Sequence, residues 1–216
     1  QELRAPLVLP DAVPTGRAAG SSPAGRMGAL CCCCPPEGGY DDSEAPLVPL
    51  AKVRVGKRGQ SVRIRDSDSG IMVSGDGVAL ADTVIEQDAA YWEVRVVEPG
   101  SCCRIGVAYE LTGQLLDSQI GDGESSWAVG AGSSAPPLKK EDIIGVAYGQ
   151  GDIPNLRFYL NGDPLNEATV LRIRGEAFPA ISVGSGTEVV WAFEPKDFVH
   201  TPPGRHTEVR PPRKMM

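Results

Sequence analysis

The sequence predicts an all-β protein: an antiparallel β-sandwich with disordered N- and C-terminal tails. Short segments with apolar residues at alternate positions recur through the second half of the 216-residue chain, and turn-forming residues separate them. The 26 glycines and 19 prolines suit many short strands joined by turns. No segment of the predicted domain keeps an i, i+3, i+4 apolar stripe over three turns, so helices are expected to contribute little.

Each predicted strand has one apolar face, because successive side chains of a strand point to opposite sides. Val62 and Ile64 mark a first, half-buried strand. Residues 142–148 are almost continuously apolar, which is typical of a central strand that is covered on both faces. The five clearest segments are residues 91–96, 104–109, 143–148, 156–162 and 189–193.

Turn residues support the same fold. Asn161 and Gly162 lie between two apolar runs and predict a tight hairpin, because a type I′ turn needs positive φ at both central residues. Two glycine-rich segments, residues 74–77 and 184–186, are interpreted as turns that break neighbouring strands. Together these patterns predict two sheets whose inner faces pack about 10 Å apart.

The chain divides into three predicted parts. Residues 1–45 are a low-complexity segment with a cysteine cluster and are predicted to be disordered, residues 46–204 form the folded domain, and residues 205–216 form a basic tail. The formal net charge of −7 argues against a nucleic-acid partner. No run of 18 apolar residues predicts a transmembrane helix, and we expect no secretory leader.

The search for catalytic and metal-binding groups predicts none. The two histidines, His200 and His206, lie at or beyond the end of the predicted domain, where a nucleophile–base pair is not expected. Residues 66–70 are similar to a calcium loop, but Gly77 stands where the bidentate glutamate is required, so we interpret them as a polar strand connection. No cofactor is predicted.

The cysteines predict reduced thiols in the cytosol. Residues 31–34 are four consecutive cysteines, and adjacent cysteines are poor zinc ligands and poor disulfide partners. Cys103 shares a strand face with Ile105 and Val107, which predicts a small core residue rather than a reactive one.

The cysteine run also suggests lipid attachment. If translation began at Met27, Gly28 would be exposed for myristoylation and the adjacent cysteines could take palmitate, which together anchor a protein stably to a membrane. The pattern is incomplete, because Cys32 stands where serine or threonine is preferred and 26 residues precede Met27. The alternative is a reactive-thiol segment without lipid. The candidate lipidation residues are Gly28, Cys31, Cys32, Cys33 and Cys34, and the expected location is cytoplasmic, at a membrane surface.

Several of these segments resemble the SPRY domain, in family order and at family-like spacings. They are residues 91–94, 104–109, 142–146 and 158–162, and residues 178–183 with 189–193 are similar to the closing pair of SPRY strands. The resemblance covers roughly residues 47–203 and implies a SPRY-like sandwich of the concanavalin-like jelly-roll type. The cysteines ahead of the domain and the exit at residues 200–204 are most similar to a small single-domain member.

The resemblance implies a non-catalytic adaptor that binds a protein or peptide through loops at one end of a bent sandwich, as a monomer. The best-known peptide-binding members carry an aromatic residue in the loop before the last strand, whereas residues 183–187 carry none, so the same peptide motif is not expected. A carbohydrate-binding module is the alternative, on fold analogy alone. The candidate partner-binding residues are Leu111, Thr112, Gln114 and Asp117 in a long polar loop, residues 111–126, and Val183, Gly184, Ser185, Gly186 and Thr187.

Overall fold

Twelve strands and three short 3₁₀ helices make up the part of the chain that the computed structural model describes, residues 51–133 and 135–212. The strands are β1 (Val55–Arg58), β2 (Ser61–Ser67), β3 (Gly70–Ala81), β4 (Ala89–Glu98), β5 (Cys103–Ala108), β6 (Ser126–Gly130), β7 (Ile143–Gly149), β8 (Asn155–Leu160), β9 (Asp163–Pro164), β10 (Val170–Leu171), β11 (Phe178–Ala192) and β12 (Thr207–Glu208). The 3₁₀ helices are Gly113–Asp117, Asn166–Ala168 and Pro195–Asp197. The predicted disordered segment, residues 1–45, lies outside the described residues.

The strands form two layers that share β3 and β11. In the first layer the order is β2, β3, β11, β4, β7 and β8, with β9 and β10 both paired to β8. In the second layer the order is β1, β3, β11, β5 and β6. Among the described strands only β12 pairs in parallel, with β4. The predicted antiparallel β-sandwich is confirmed.

The first bend lies in β3, at residues 74–77. Gly75 has a φ of +109°, and a Cβ atom added to it would lie 2.1 Å from the carbonyl oxygen of Ser61 on β2. Glycine is therefore required by both its backbone conformation and its close approach to the neighbouring strand. The strand changes direction here without ending.

The second bend lies beside it in β11. The register between β11 and β3 shifts between Val183 and Thr187, as it does where a bulge adds residues to one strand. The sequence predicted turns at residues 74–77 and 184–186, and that interpretation is wrong in one respect. Both segments bend a long strand whose pairing continues on either side, so each strand serves both layers.

The core lies between the two layers and follows the predicted alternation. Trp92 and Trp191 are fully buried on the first layer, and Ile105 and Val107 face them from the second. Other buried members of this inner core are Val73, Val94, Ile144, Val146, Phe158, Ala79, Val129 and Ile181. At about 25 cal/mol per Å² of buried apolar surface, this contact is the main source of stability.

Two predicted connections are tight hairpins. Leu160 pairs with Asp163, and the residues between them, Asn161 and Gly162, have φ values of +52° and +89°. Positive φ at both positions confirms the predicted turn. The aspartate- and serine-rich connection at residues 66–70 contains the two-residue turn between β2 and β3.

The chain stays paired to the domain beyond residue 204, where the sequence predicted a disordered basic tail. Thr207 pairs with Ala90, and the side-chain amide of Gln87 donates to the carbonyl oxygen of Glu208 at 2.8 Å. Val209 is 3% exposed and belongs to the inner core. Residues 213–216 lie outside the described residues. Within the described range, no helix has the length and apolarity that a bilayer crossing needs.

Candidate functional site

The predicted loop at residues 111–126 folds back over the outer face of the second layer. Leu111 and Ile120 are 5% and 1% exposed and contact a small apolar cluster. The sheet residues of this outer cluster are Val78, Leu80, Ala108 and Ala180. The backbone N–H of Ile120 also donates to Ser182 Oγ at 2.8 Å. Part of the predicted binding loop is therefore a cover for the sheet.

Arg104 holds this loop from below. Its Nη1 donates to the carbonyl oxygen of Ile120 at 2.9 Å, and its Nε donates to that of Ala131 at 2.6 Å. Nη1 also forms an ion pair with Asp122 at 2.5 Å. One guanidinium thereby binds the carbonyl oxygen of Ile120 in this loop and that of Ala131 after β6, which restricts the loop to one arrangement.

The loop is exposed at residues 112–115, 117–119 and 121–124, and the first of these stretches carries an apolar side chain. Thr112, Gln114 and Leu115 are exposed, and the Leu115 side chain is 53% exposed although it is apolar. Asp117 is tied down, because its Oδ1 accepts the backbone N–H of Gln60 at 3.2 Å. Three residues of the loop are thus presented on a 3₁₀ helix that is anchored at both ends.

The second predicted segment, residues 183–187, lies inside β11 instead of in a loop. Val183 and Thr187 are buried, and Thr187 Oγ1 lies 2.7 Å from the carbonyl oxygen of Cys102 and accepts the Gly184 N–H at 3.3 Å. Ser185 and Gly186 are the exposed residues of the segment. Thr187 therefore secures the bend, and only the glycine-containing tip is accessible.

The fold brings the two predicted segments to the same bend of the sheet. Val183 pairs with Gly77, and the carbonyl oxygen of Leu116 lies 2.9 Å from the point that a Cβ atom on Gly77 would occupy. We call five exposed residues at this bend the bend surface: Thr112, Gln114, Leu115, Ser185 and Gly186. Leu111, Val183, Gly184 and Thr187 are buried beneath this surface, and the exposed Asp117 anchors its 3₁₀ helix to Gln60.

A buried carboxylate on the outer face of the first layer was not anticipated. Glu93 is 2% exposed, and its Oε1 accepts the Tyr91 hydroxyl at 2.8 Å and the His200 N–H at 2.9 Å. Its Oε2 accepts the Val199 N–H at 2.6 Å. Burial raises the pKa of Tyr91, and the hydrogen bond and charge of Glu93 raise it further. Strand alternation places Glu93 on the face opposite Trp92, and no local signal in the sequence indicates its burial.

The two cysteines of the domain are buried core residues. Burial raises the pKa of the Cys103 thiol to about 12, and it also raises the pKa of Cys102. A thiol that stays protonated at neutral pH is a poor nucleophile. The prediction that Cys103 is a core residue is confirmed. Gly28 and the cysteines at 31–34 lie outside the described residues.

A cleft of about 600 Å³ opens where β1 begins and β2 ends. Its walls include the apolar side chains of Val53, Ile71 and Phe193, and Lys52 and Asp68 lie at its rim. Among residues 51–133 and 135–212, no three His, Cys, Asp or Glu side chains are grouped as a metal site would need. The cleft therefore has walls of mixed charge and, within the described residues, no group of metal ligands.

Comparison with solved structures finds folds similar to this one at low identity. The SPRY domain of human HERC1 is 15% identical, with 61% of this chain and 94% of that chain covered and a TM-score of 0.46. The TRIM65 PSpry domain is 16% identical (65% and 89% covered, TM-score 0.46), and a human SPRY domain is 17% identical (66% and 97% covered, TM-score 0.45). No curated protein matches the chain.

The match to a family model is more direct. The model described as the SPRY domain matches residues 89–196, which is half of the chain. These residues begin with β4 and end in the 3₁₀ helix after β11, and they include Tyr91 and Glu93, the Arg104 clamp and every residue of the bend surface. Outside the match, β3 pairs with β11 and β12 pairs with β4, while β1 and β2 pair with β3 and complete the same two layers. The chain belongs to the SPRY domain family.

Proposed function

We propose that this chain is a non-catalytic adaptor that binds a protein or peptide through its bend surface, as a monomer. SPRY domains are generally protein-interaction modules, and the SPRY match is the observation that carries this proposal. The alternative, carbohydrate binding, rests only on fold analogy. The matched residues include the whole bend surface, so the proposed site belongs to the part of the chain that defines the family.

The geometry of the bend surface supports this proposal. Leu115 is an exposed apolar side chain on a short helix, and Ser185 and Gly186 offer backbone groups at the same bend without bulky side chains. The Arg104 and Thr187 hydrogen bonds hold both segments in place. A rigid surface loses little conformational entropy when a partner binds, so more of the contact energy appears as affinity.

The composition of the bend surface predicts which chemical groups its partner presents. Its exposed residues are threonine, glutamine, leucine, serine and glycine, with no aromatic ring to line a pocket. We therefore expect a partner that places a small apolar group against Leu115 and hydrogen-bonds to the polar residues around it.

Site-specific photo-cross-linking of the full chain tests this function. A photoreactive amino acid at position 115 is expected to capture one discrete partner in cells. The matched control is position 153, because Ile153 is 59% exposed and also apolar but lies in the connection between β7 and β8. Adducts at both positions, or none at position 115, would contradict the proposed site.

We further propose that the adaptor is attached to the cytoplasmic face of a membrane through Gly28 and the cysteines at 31–34. The run of four cysteines supports this, since several acyl chains anchor a protein more stably than one. Replacing the four cysteines with serine is expected to move the protein from the membrane to the soluble fraction. A Gly28→Ala variant separates the myristoyl contribution from the palmitoyl one. An unchanged membrane fraction in both variants would refute the anchor.

Within the family, we propose that the chain groups with SPRY domain-containing protein 7. The proposal rests on the cysteines ahead of the domain and on the His-Thr-Pro-Pro-Gly exit at residues 200–204. A tree built from aligned SPRY domains tests it, and placement of this chain among multidomain members would contradict it.

A further inference from the structure

The start of the domain is strongly basic in an acidic chain. Of residues 51–65, six are lysine or arginine and none is aspartate or glutamate, while the whole chain has a formal net charge of −7. These residues are Lys52, Arg54, Lys57, Arg58, Arg63 and Arg65. Lys57 and Arg58 lie on β1, and Arg63 and Arg65 lie on β2. Both strands pair with β3, each at the edge of its layer, so the positive charge is concentrated along that edge.

The strand register extends this charge across the outer face of the first layer. Arg65 on β2 pairs with Met72 on β3, Met72 pairs with Val190 on β11, and Val190 pairs with Arg95 on β4. Directly paired residues point to the same side of a sheet, so these four side chains form one row. We call this row the arginine strip. Arg95 and Arg65 are exposed at its ends, Met72 is half-buried and Val190 is buried between them.

The arginines of this face lack carboxylate partners. Among the described residues, neither Arg65 nor Arg95 has a carboxylate oxygen within 4.0 Å, whereas Lys57 is paired with Glu110. Arg95 contacts only a neutral group, the Ser69 hydroxyl, at 3.3 Å.

The carboxylates of this face leave its arginines unpaired. Arg63, two residues before Arg65 on the same face of β2, is also exposed and unpaired within the described chain. Glu93 is buried and bonded to its own three donors, and Glu98 is paired with Lys140. Glu188, beside Ser74, and Asp197, at a small depression next to Arg95, form no ion pair with the three guanidiniums.

We infer that the arginine strip binds an acidic segment of a partner protein. Arginine forms bidentate bonds to carboxylates, and unpaired guanidiniums with an apolar floor between them fit acidic residues that flank an apolar one. This inference rests on the proposed protein-binding function and assigns the partner a charge and a second contact surface.

The strand spacing sets the pattern of that segment. Arg65 and Arg95 are three strands apart, which places their Cα atoms about 14 Å apart. An extended peptide rises about 3.4 Å per residue, so residues i and i+4 on one of its faces span the same distance. Residue i+2 then lies over Met72 and Val190. The strip therefore selects acidic residues at i and i+4 with an apolar residue midway.

Fluorescence anisotropy of the full chain with labelled peptides tests the strip. The matching probe carries two glutamates four residues apart with a valine midway in a serine–glycine background, and the control probe has the same composition with the glutamates adjacent. The matching probe is expected to bind about tenfold more tightly than the control, and to weaken as salt is raised. Equal binding of both probes, or no binding of the matching one at low salt, would overturn the inference.

Charge-reversal variants separate the contribution of the strip to peptide affinity from that of the protein's net charge. The Arg65→Glu, Arg95→Glu double variant is expected to lower the affinity for the matching probe at least tenfold. The matched control is the Arg172→Glu, Arg174→Glu double variant, which makes the same charge change at exposed arginines in the connection between β10 and β11 and should keep the wild-type affinity. Equal losses in both variants would overturn the inference. Unfolding midpoints that match the wild type exclude a folding defect.

Two further results distinguish peptide binding by the strip from lipid binding and from the proposed function of the bend surface. If phosphatidylserine vesicles bind the wild type and not the Arg65→Glu, Arg95→Glu variant while the peptide does not bind, the strip is a lipid contact and the inference is overturned. If the peptide does not bind but position 115 still captures its partner, the proposed function survives and only the strip is refuted.

Discussion

Both layers of the sandwich are covered on their outer faces, but by different means. On the second layer, Leu111 and Ile120 cover apolar residues of the sheet by packing. On the first layer, the segment after β11 is held by hydrogen bonds to the buried carboxylate of Glu93. The first cover follows from hydrophobic burial, which is non-directional. The cover of the first layer depends on one residue, Glu93, whose carboxylate oxygens accept from three donors. One substitution at this position would therefore remove all three hydrogen bonds.

This difference decides what each face offers to a partner. The cover of the second layer buries Leu111 and Ile120 and exposes the polar remainder of its loop, whereas the polar cover of the first layer occupies one end and leaves the arginine strip uncovered. A partner of the second layer therefore meets the covering loop. A partner of the first layer meets the part of the sheet that the segment after β11 leaves uncovered.

The largest effect is expected from the anchor. Glu93→Ala leaves the Tyr91 hydroxyl and the N–H groups of Val199 and His200 without their acceptor, and buried donors without partners cost about 1–3 kcal/mol each. We expect the free energy of unfolding to fall by about 4 kcal/mol in urea denaturation. Glu188→Ala on the neighbouring strand is the control, at about 0.5 kcal/mol. Similar losses in both variants would mean that the carboxylate is not the anchor.

A substitution in the loop that covers the second layer is expected to lower the free energy of unfolding by less. Ile120→Ala removes a side chain that is 1% exposed from the outer cluster, and we expect a loss of about 3 kcal/mol. Hydrogen exchange should become faster in residues 111–126 and remain unchanged around Glu93. Leu115→Ala, at an exposed position of the same loop, should cost about 0.5 kcal/mol. If the two variants were equally stable, the loop would not be a cover.

Alkaline pH should separate the two faces, because only the first has a buried titratable anchor partner in Tyr91. The folded-state pKa of Tyr91 is raised above its ordinary value of 10.0, so the unfolded chain loses this proton first. Stability is therefore complete below pH 10 and decreases as pH rises, by about 1.4 kcal/mol per pH unit from this group.

The Tyr91→Phe variant measures this contribution. Denaturation curves between pH 9 and 11 should show a smaller pH dependence for Tyr91→Phe than for the wild type, since phenylalanine cannot ionise. Ile120→Ala should keep the wild-type pH dependence despite its lower stability. An unchanged slope in Tyr91→Phe would show that this hydroxyl does not couple folding to pH.

The smallest effect is expected at the rim of the packed cover. Asp122→Asn removes an ion pair whose carboxylate is 66% exposed, and exposed pairs contribute little. The Arg104 guanidinium keeps its bonds to the carbonyl oxygens of Ile120 and Ala131, so we expect a loss of about 0.5 kcal/mol. Arg104→Met should cost about 2 kcal/mol, because it also leaves those carbonyls unpaired. The reverse order would make the ion pair the main clamp.

Local sequence patterns predicted the inner core well. Strand alternation identified the inward faces of β4, β5, β8 and β11, and the Asn161–Gly162 pair identified a hairpin, because both signals depend on residues that are close in sequence. The bends at Gly75 and Gly184 were interpreted as turns for the same reason. A glycine that bends a paired strand and one that ends a strand look alike until the partner strand is known.

The candidate site was predicted in outline. The two segments chosen as loops do meet at the bend surface, but four of the nine chosen residues are buried beneath it. Burial of Thr187 depends on carbonyl groups that are 85 residues or more away in the chain, and no local pattern shows that contact. The arginine strip had a sequence signal, the basic stretch at residues 51–65, but Arg95 joins it only through strand register.

By itself, the sequence determined the fold class, the inward faces of the strands and the location of the basic stretch, because these follow from residue periodicity and composition. The family followed from the resemblance of its ordered segments to the SPRY domain. Only the tertiary structure decided which outer faces are covered. It buried Glu93 beneath residues 199 and 200 and aligned Arg65 with Arg95 across four strands. These residue pairs are 30 to 107 positions apart in the chain. Their interaction energies depend on distance in space, not on separation along the chain.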